Sequence, residues 1–353
     1  MNETKNKRPH GGNIYGKRIV LDFSVNLNPV PCPMEVQTAV KEAFDKLHFY
    51  PDPLQEKARR CIGELEELSQ DEIICGNGAS ELIFAVIKML SPKRILLPTP
   101  SFYGYLHAAG QLTDCEIEEY PLKEENAFRL DEGILDRIER DKETLQMVIL
   151  TNPNNPTGRL IEEELLLRIA ELCEKNQVAL LVDECFLRMG DSGRSIAGLV
   201  SKYNNLYVVN AFTKLFSIPG VRAGYLMSAP DNIERIRGFL PEWNLSIFAE
   251  AALCSGAKVL QETDYIEKTR NEIKKEREFL KTSLSKYGTV FESDTSFLLM
   301  KTSESISDIL EENGILIRDC ENFKGLGSGF YRIAVRTRED NRKMLSILEQ
   351  NVR

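Results

Sequence analysis

Four short apolar runs limit what this chain can become: RILLPT (residues 94–99), QMVILT (146–151), VALLVDE (178–184) and LYVVN (206–210). Each is apolar at consecutive positions, whereas a strand with one face in water alternates. Continuous hydrophobicity over four or five residues predicts strands covered on both faces, as in a parallel sheet sandwiched by helices. Between the second and third runs, LIEEELLLRIAELCEKN (160–176) puts Leu165, Ile169, Leu172 and Cys173 on one helical face, the pattern of a crossover helix. A large α/β domain over residues 41–235 follows.

Beyond Pro230 the texture changes. DYIEKTRNEIKKEREFLKTSLSKYG (264–288) reads as one long charged helix, and its interleaved acids and bases mark a solvated face. Strand-like SFLLMKT (296–302), ILIRDC (315–320) and FYRIAVRT (330–337) follow it. We expect a smaller α+β domain over 236–353, with residues 1–40 as an N-terminal arm that joins it in part. At 353 residues the chain has room for both.

In an open α/β sheet, ligands gather at the carboxyl ends of the strands, and here those ends are polar. ICGNGASELIFAVIKML (74–90) runs a strand into Gly76 and Gly78, with a helix starting near Ser80. That is either a plain glycine turn or an anion cup of free N–H groups at a helix start. PTPSFYGY (98–105) offers Phe102 or Tyr105 as a face for a flat ring, or merely loop packing. TNPNNPTG (151–158) is an amide-rich turn in which Asn155 has the chemistry to donate to a phenolate-type oxygen. Asp183 follows four apolar residues, so its charge requires a partner, and a salt bridge, a helix cap or a protonated pyridine nitrogen would each serve. NAFTKLFSIPGVRAGY (210–225) then presents Lys214 and Arg222. A lysine in a dry site deprotonates near neutral pH and attacks an aldehyde, and a guanidinium fork matches phosphate oxygens. Pyridoxal 5′-phosphate uses all of these groups at once.

The set GNGAS, PTPSFYGY, NPNNPTG, VDE and FTKLFSIPGVRAGY resembles the fold-type I pyridoxal-phosphate enzymes, in the branch that contains histidinol-phosphate aminotransferase, over essentially the whole chain. The resemblance implies pyridoxal phosphate as cofactor, Lys214 as the lysine that carries it, Asp183 at the pyridine nitrogen and Asn155 at the 3′-oxygen. It implies Phe102 against the ring, and Ala79, Ser80, Thr213 and Arg222 around the phosphate. Tyr50, in HFYPDP, resembles a tyrosine that reaches the neighbouring subunit's cofactor phosphate, which implies a homodimer.

Within that branch, HGGN (10–13), LDFSVNLNP (21–29) and Phe186, in place of the tyrosine usual in the aminotransferases, make the chain similar to the threonine-phosphate decarboxylase family of cobalamin biosynthesis. A phosphorylated amino acid substrate is then implied, gripped by His10, Gly11, Asn26, Asn155, Arg318 and Arg332. Arg332 is expected at its carboxylate and Arg318 at its phosphate, since each anion calls for an arginine fork. Histidinol-phosphate aminotransfer and O-phosphoserine decarboxylation are the alternatives. Two positions depart from the relatives: Ala211, where a hydroxyl residue is usual, and Ser246, where asparagine is expected.

The formal net charge of −9 speaks against a nucleic-acid partner. Eight cysteines without a zinc-binding spacing predict reduced thiols and no metal. A polar N-terminus and the lack of a membrane-length apolar run predict a cytoplasmic protein with no membrane partner.

Overall fold

The computed structural model describes residues 10–352. The first strand, β1 (Leu21–Asp22), is short. The next seven build one sheet: β2 (Ile73–Asn77), β3 (Arg94–Thr99), β4 (Glu116–Pro121), β5 (Met147–Thr151), β6 (Ala179–Asp183), β7 (Leu206–Ala211) and β8 (Ala223–Met227). Their order across the sheet is β2-β8-β7-β6-β5-β3-β4. β8 runs antiparallel to both its neighbours while the other pairs are parallel.

The apolar runs behave as period-two strands buried twice over. Val148, Leu150, Leu180, Val182 and Val208 face one core cluster, while Met147, Ile149, Leu181, Tyr207 and Val209 face the other. Helix Glu163–Lys175 is the crossover between β5 and β6 and buries Leu165, Leu166, Ile169, Ala170 and Cys173. Three strands of the sheet, β2, β4 and β8, lie outside the four apolar runs, and of these only β2 is expected from the sequence, ahead of Gly76. β4 reads EIEEYP and is an edge strand whose residues alternate irregularly between exposed and half-exposed, none of them buried. β8 is the antiparallel insert, directly after Arg222.

The smaller unit has β9 (Thr289–Val290), β10 (Phe297–Lys301), β11 (Ile315–Leu316), β12 (Arg318–Asp319) and β13 (Phe330–Ala334). Four of them form an antiparallel sheet in the order β12-β13-β10-β9, and β1 pairs in parallel with β11. Phe23 packs with Leu298, Ile317 and Ile333 in the core of this unit.

Helix Ile247–Glu262 buries Ala249, Ala252, Leu253 and Val259 in the core of the large unit. Helix Tyr265–Leu284 contributes Tyr265 and Ile273 to that same core, but Leu280 and Leu284 to the small one. We propose that the domain boundary lies inside this long helix rather than at residue 236.

Candidate active site

A cavity of about 390 Å³ opens where the carboxyl ends of the large sheet's strands meet β12 and β13, a volume suited to a small cofactor with its substrate. Ala79, Ser80, Phe102, Asn155, Asp183, Thr213, Lys214 and Arg222 line it, and so do His10, Gly11, Asn26, Arg318 and Arg332. Of the residues expected at the site, Tyr50 alone lies elsewhere in this chain: it is 80% exposed, with its ring 4.8 Å from that of Trp243.

One end is built for a phosphate. Helix Ala79–Leu90 starts after Gly78, whose φ of +81° only glycine adopts without strain and which caps nothing with a side chain. The first N–H groups of that helix therefore keep their donors for an anion. Arg222, itself at φ +62°, lies against Gly78, and a Cβ on Gly78 would run into its Nη2. Gly224 on β8 comes so near that its Cβ would stand 2.5 Å from the Gly78 carbonyl carbon and 2.6 Å from Ala79 N. The guanidinium spends only long bonds on protein, 3.3 Å to Pro219 O and 3.4 Å to Asn77 O. At Ala211 the side chain is a buried methyl and the N–H donates to Asn210 Oδ1 at 2.8 Å, so that position adds no hydroxyl donor. This cradle fits the cofactor phosphate.

The middle fits its ring. Asp183 ends β6 and is buried, and desolvation pushes its carboxyl pKa up, against the pull of bonds from Cys185 N at 3.0 Å and Tyr105 Oη at 2.8 Å. A cation beside it would relieve that cost, as a protonated pyridine nitrogen does. Tyr105 is fully buried and also lies 2.9 Å from Thr151 Oγ1, so it braces Asp183 and leaves Phe102 as the ring-facing aromatic. Phe102 stands edge-on to Tyr105 at 5.5 Å. Lys214 sits in the single turn Phe212–Leu215. Burial, followed by the charge of Arg332, lowers its pKa to about 8, so a substantial neutral fraction exists near physiological pH. Phe186 has no hydroxyl to offer, and its ring packs edge-on to Phe297 at 5.1 Å.

The far end holds two arginines directly opposite each other, Arg318 on β12 and Arg332 on β13. Like charges across a strand pair repel, and burial lowers both pKa values, that of Arg332 to about 10. Arg332 Nη1 donates to Asn155 Oδ1 and Nη2 to Ser24 O at 2.7 Å. The first bond engages the amide oxygen of Asn155 and turns its NH₂ into the group free to donate. Arg318 Nη2 donates to Asn322 Oδ1 at 2.6 Å, and Phe323 lies under the guanidinium at 5.0 Å. Asn26 is 2% exposed and its Oδ1 has no hydrogen-bond partner among the described residues, an acceptor awaiting a donor. His10 rests between Phe102, at 5.7 Å, and Tyr103, at 5.6 Å.

Sequence reasoning missed several members of this wall. Ser24, Tyr103, His107 and Phe323 line the cavity, and Tyr105 supports Asp183 rather than offering a ring face. Ser24 lay within LDFSVNLNP and Tyr103 within PTPSFYGY, so their segments were marked, but no spacing rule separates a supporting residue from its neighbours. Ser246, at the position expected to be asparagine, caps helix Ile247–Glu262 by accepting from Ala249 N at 3.1 Å.

Comparisons with known proteins agree with this geometry. The family model for aminotransferase class I and II matches residues 18–348. A putative threonine-phosphate decarboxylase of Caldanaerobacter subterraneus subsp. tengcongensis is 36% identical, over 99% of this chain and 95% of its own length. The threonine-phosphate decarboxylase of Salmonella typhimurium is 31% identical, over 96% and 95%. The crystal structure of histidinol-phosphate aminotransferase from Clostridium acetobutylicum superposes with a TM-score of 0.84 at 30% identity, covering 94% of this chain and 98% of that one. With its cradle for a phosphate, its dry lysine and its buried aspartate, the chain belongs to the class I and II aminotransferase family of fold-type I, pyridoxal-phosphate-dependent enzymes.

Proposed function

We propose that the protein decarboxylates L-threonine O-3-phosphate to (R)-1-aminopropan-2-yl phosphate and CO₂, a step that supplies the nucleotide-loop linker in cobalamin biosynthesis. The observation that carries this reading is the opposition of Arg318 and Arg332 across one strand pair at the mouth of the lysine cavity. Two cations held that close in a desolvated wall are stabilised by a ligand with two anionic ends. The full-length similarity to two proteins named as threonine-phosphate decarboxylases supports the same substrate.

Bound pyridoxal phosphate supplies an aldehyde for the amine and a sink for the electron pair left when the carboxylate departs. The chain's residues do the rest. Lys214 would carry the cofactor, and its free amine would be the acid that returns a proton to Cα. Asp183, braced by Tyr105, keeps the proton on the pyridine nitrogen, and Asn155 donates to the 3′-oxygen. Arg332 clamps the carboxylate and Arg318 the phosphate, with His10, Gly11 and the open acceptor of Asn26 completing the grip. Two anchored ends restrict rotation about Cα, and orientation alone can supply several kcal/mol of barrier reduction.

We place Tyr50 at the cofactor phosphate of a second subunit in a homodimer. Exposed Phe44, Leu47, Phe49, Tyr50 and Leu54 support this, because so much apolar surface in one stretch marks a face that another protein covers. We place the enzyme in the cytoplasm, as its eight free cysteines suit a reducing compartment. No helix among the described residues is long and apolar enough to cross a membrane.

The test is direct. Holoenzyme mixed with phosphothreonine is expected to release CO₂ and one equivalent of phosphorylated amine, with no requirement for a keto acid. Amino transfer that depends on a keto acid, without gas, would establish the aminotransferase reading instead. O-phosphoserine is the informative competitor, since a single methyl discriminates by only about 1–3 kcal/mol.

A further inference from the structure

We propose that Ser24 is a positioning residue that ties together two parts of the substrate grip, Arg332 and the His10–Gly11 arm. It is 1% exposed, lines the cavity and engages each part through a different atom. Its carbonyl accepts from Arg332 Nη2 at 2.7 Å, which aims the guanidinium assigned to the substrate carboxylate. Its hydroxyl accepts from Gly12 N at 2.7 Å, which pins the His10–Gly11 arm that completes the substrate grip. The hydroxyl in turn donates to Asp22 Oδ1 at 2.6 Å, so it cannot rotate away without losing both that bond and the one from Gly12, while Ser24 N fixes the same carboxylate oxygen by donating to it at 2.8 Å. Gly11 packs against the Ser24 carbonyl so tightly that a Cβ would run into that oxygen.

The arm is also held from its other side. Rings follow one another along the cavity lip from Phe84 to His107 at 5.4 Å, to Tyr103 at 5.9 Å, to His10 at 5.6 Å. His10 is thus fixed by a ring clamp above and by the Gly12–Ser24 bond below. Arg318 adds to the depression of the His10 pKa after burial, which puts the two groups within electrostatic reach of each other. A phosphate arriving at Arg318 therefore meets an arm whose position Ser24 sets, and Ser24 in turn reports to Arg332.

This inference rests on the decarboxylase reading, and the experiment separates the two. Wild-type holoenzyme that releases no CO₂ from phosphothreonine overturns the reading itself. Given an active wild type, Ser24→Ala holoenzyme is expected to raise KM for phosphothreonine about tenfold, the effect of one lost hydrogen bond near a charge, with a smaller fall in kcat. Ser24→Thr, which keeps the hydroxyl, is expected to restore most of it. Hydrogen exchange gives a readout independent of turnover: the peptide containing Gly12 should exchange at least about tenfold faster in Ser24→Ala. Should Ser24→Ala fail to fold, Ser24→Cys keeps the volume with a weaker acceptor and makes the same comparison. Unchanged KM together with unchanged exchange at Gly12 in a folded variant would overturn the proposal.

Discussion

Gly78→Ala isolates the phosphate cradle from the rest of the site. The added Cβ would collide with Arg222 Nη2 and lie 2.9 Å from Arg222 Cζ, and Gly78 has φ +81°. These two facts have separable consequences. The backbone strain is present with or without cofactor, so it lowers stability by about 1–3 kcal/mol and leaves affinity alone. The collision is with the far end of a flexible side chain, so Arg222 swings aside at little cost to the fold. What is lost is its charge-assisted bond to the phosphate, worth about 1.5–3 kcal/mol, or about 10- to 150-fold in cofactor affinity. The assay is titration of apoprotein with pyridoxal phosphate, followed by the visible absorbance of the bound cofactor, alongside thermal unfolding of the apoprotein. Affinity is expected to fall by the larger factor while apoprotein stability falls modestly. Cofactor affinity within about threefold of wild type would refute the placement of Arg222 at the phosphate, whatever the stability change.

Other expectations follow from the same geometry. Lys214 must be neutral to attack an aldehyde, and its pKa is depressed to about 8, so the rate of cofactor uptake by apoprotein should climb as pH rises toward about 8 and flatten above. A rate that does not change between about pH 7 and about pH 9 would contradict that depression. Asp183→Asn keeps an acceptor for Tyr105 but removes the charge, and we expect kcat to drop about 10²–10³-fold in single-turnover CO₂ release, as for loss of one preorganised electrostatic group. Arg332→Lys loses the planar fork, and kcat/KM for phosphothreonine should fall by about 10- to 150-fold while cofactor affinity holds. Tyr50→Phe is expected to weaken cofactor binding about tenfold in a protein that sediments as a dimer; a monomer with full affinity would remove Tyr50 from the site.

Much of this molecule is written in local chemistry. Doubly covered strands must be apolar at every position, so RILLPT, QMVILT, VALLVDE and LYVVN declared their sheet. Covalent and electrostatic demands of the cofactor restrict residue types so narrowly that Lys214, Asp183, Asn155 and Arg222 stood out with their segments. Pairing is another matter, because it is a relation between residues far apart in the chain. Nothing near Arg318 announces that it faces Arg332, nothing in AGYLM announces an antiparallel strand next to the edge of an otherwise mostly parallel sheet, and EIEEYP is too polar for an edge strand to be evident. Tyr105 and Phe102 carry equal claims to a ring face until the turn of one short helix sends Tyr105 to Asp183. Ser24 is an unremarked residue of an N-terminal motif until β1 docks beside β11 and delivers it to Arg332. Residue type decides what chemistry is available, since it depends only on the side chain. Burial, register and direction decide which of those groups meet, and these are settled only when every strand competes for the same neighbours at once.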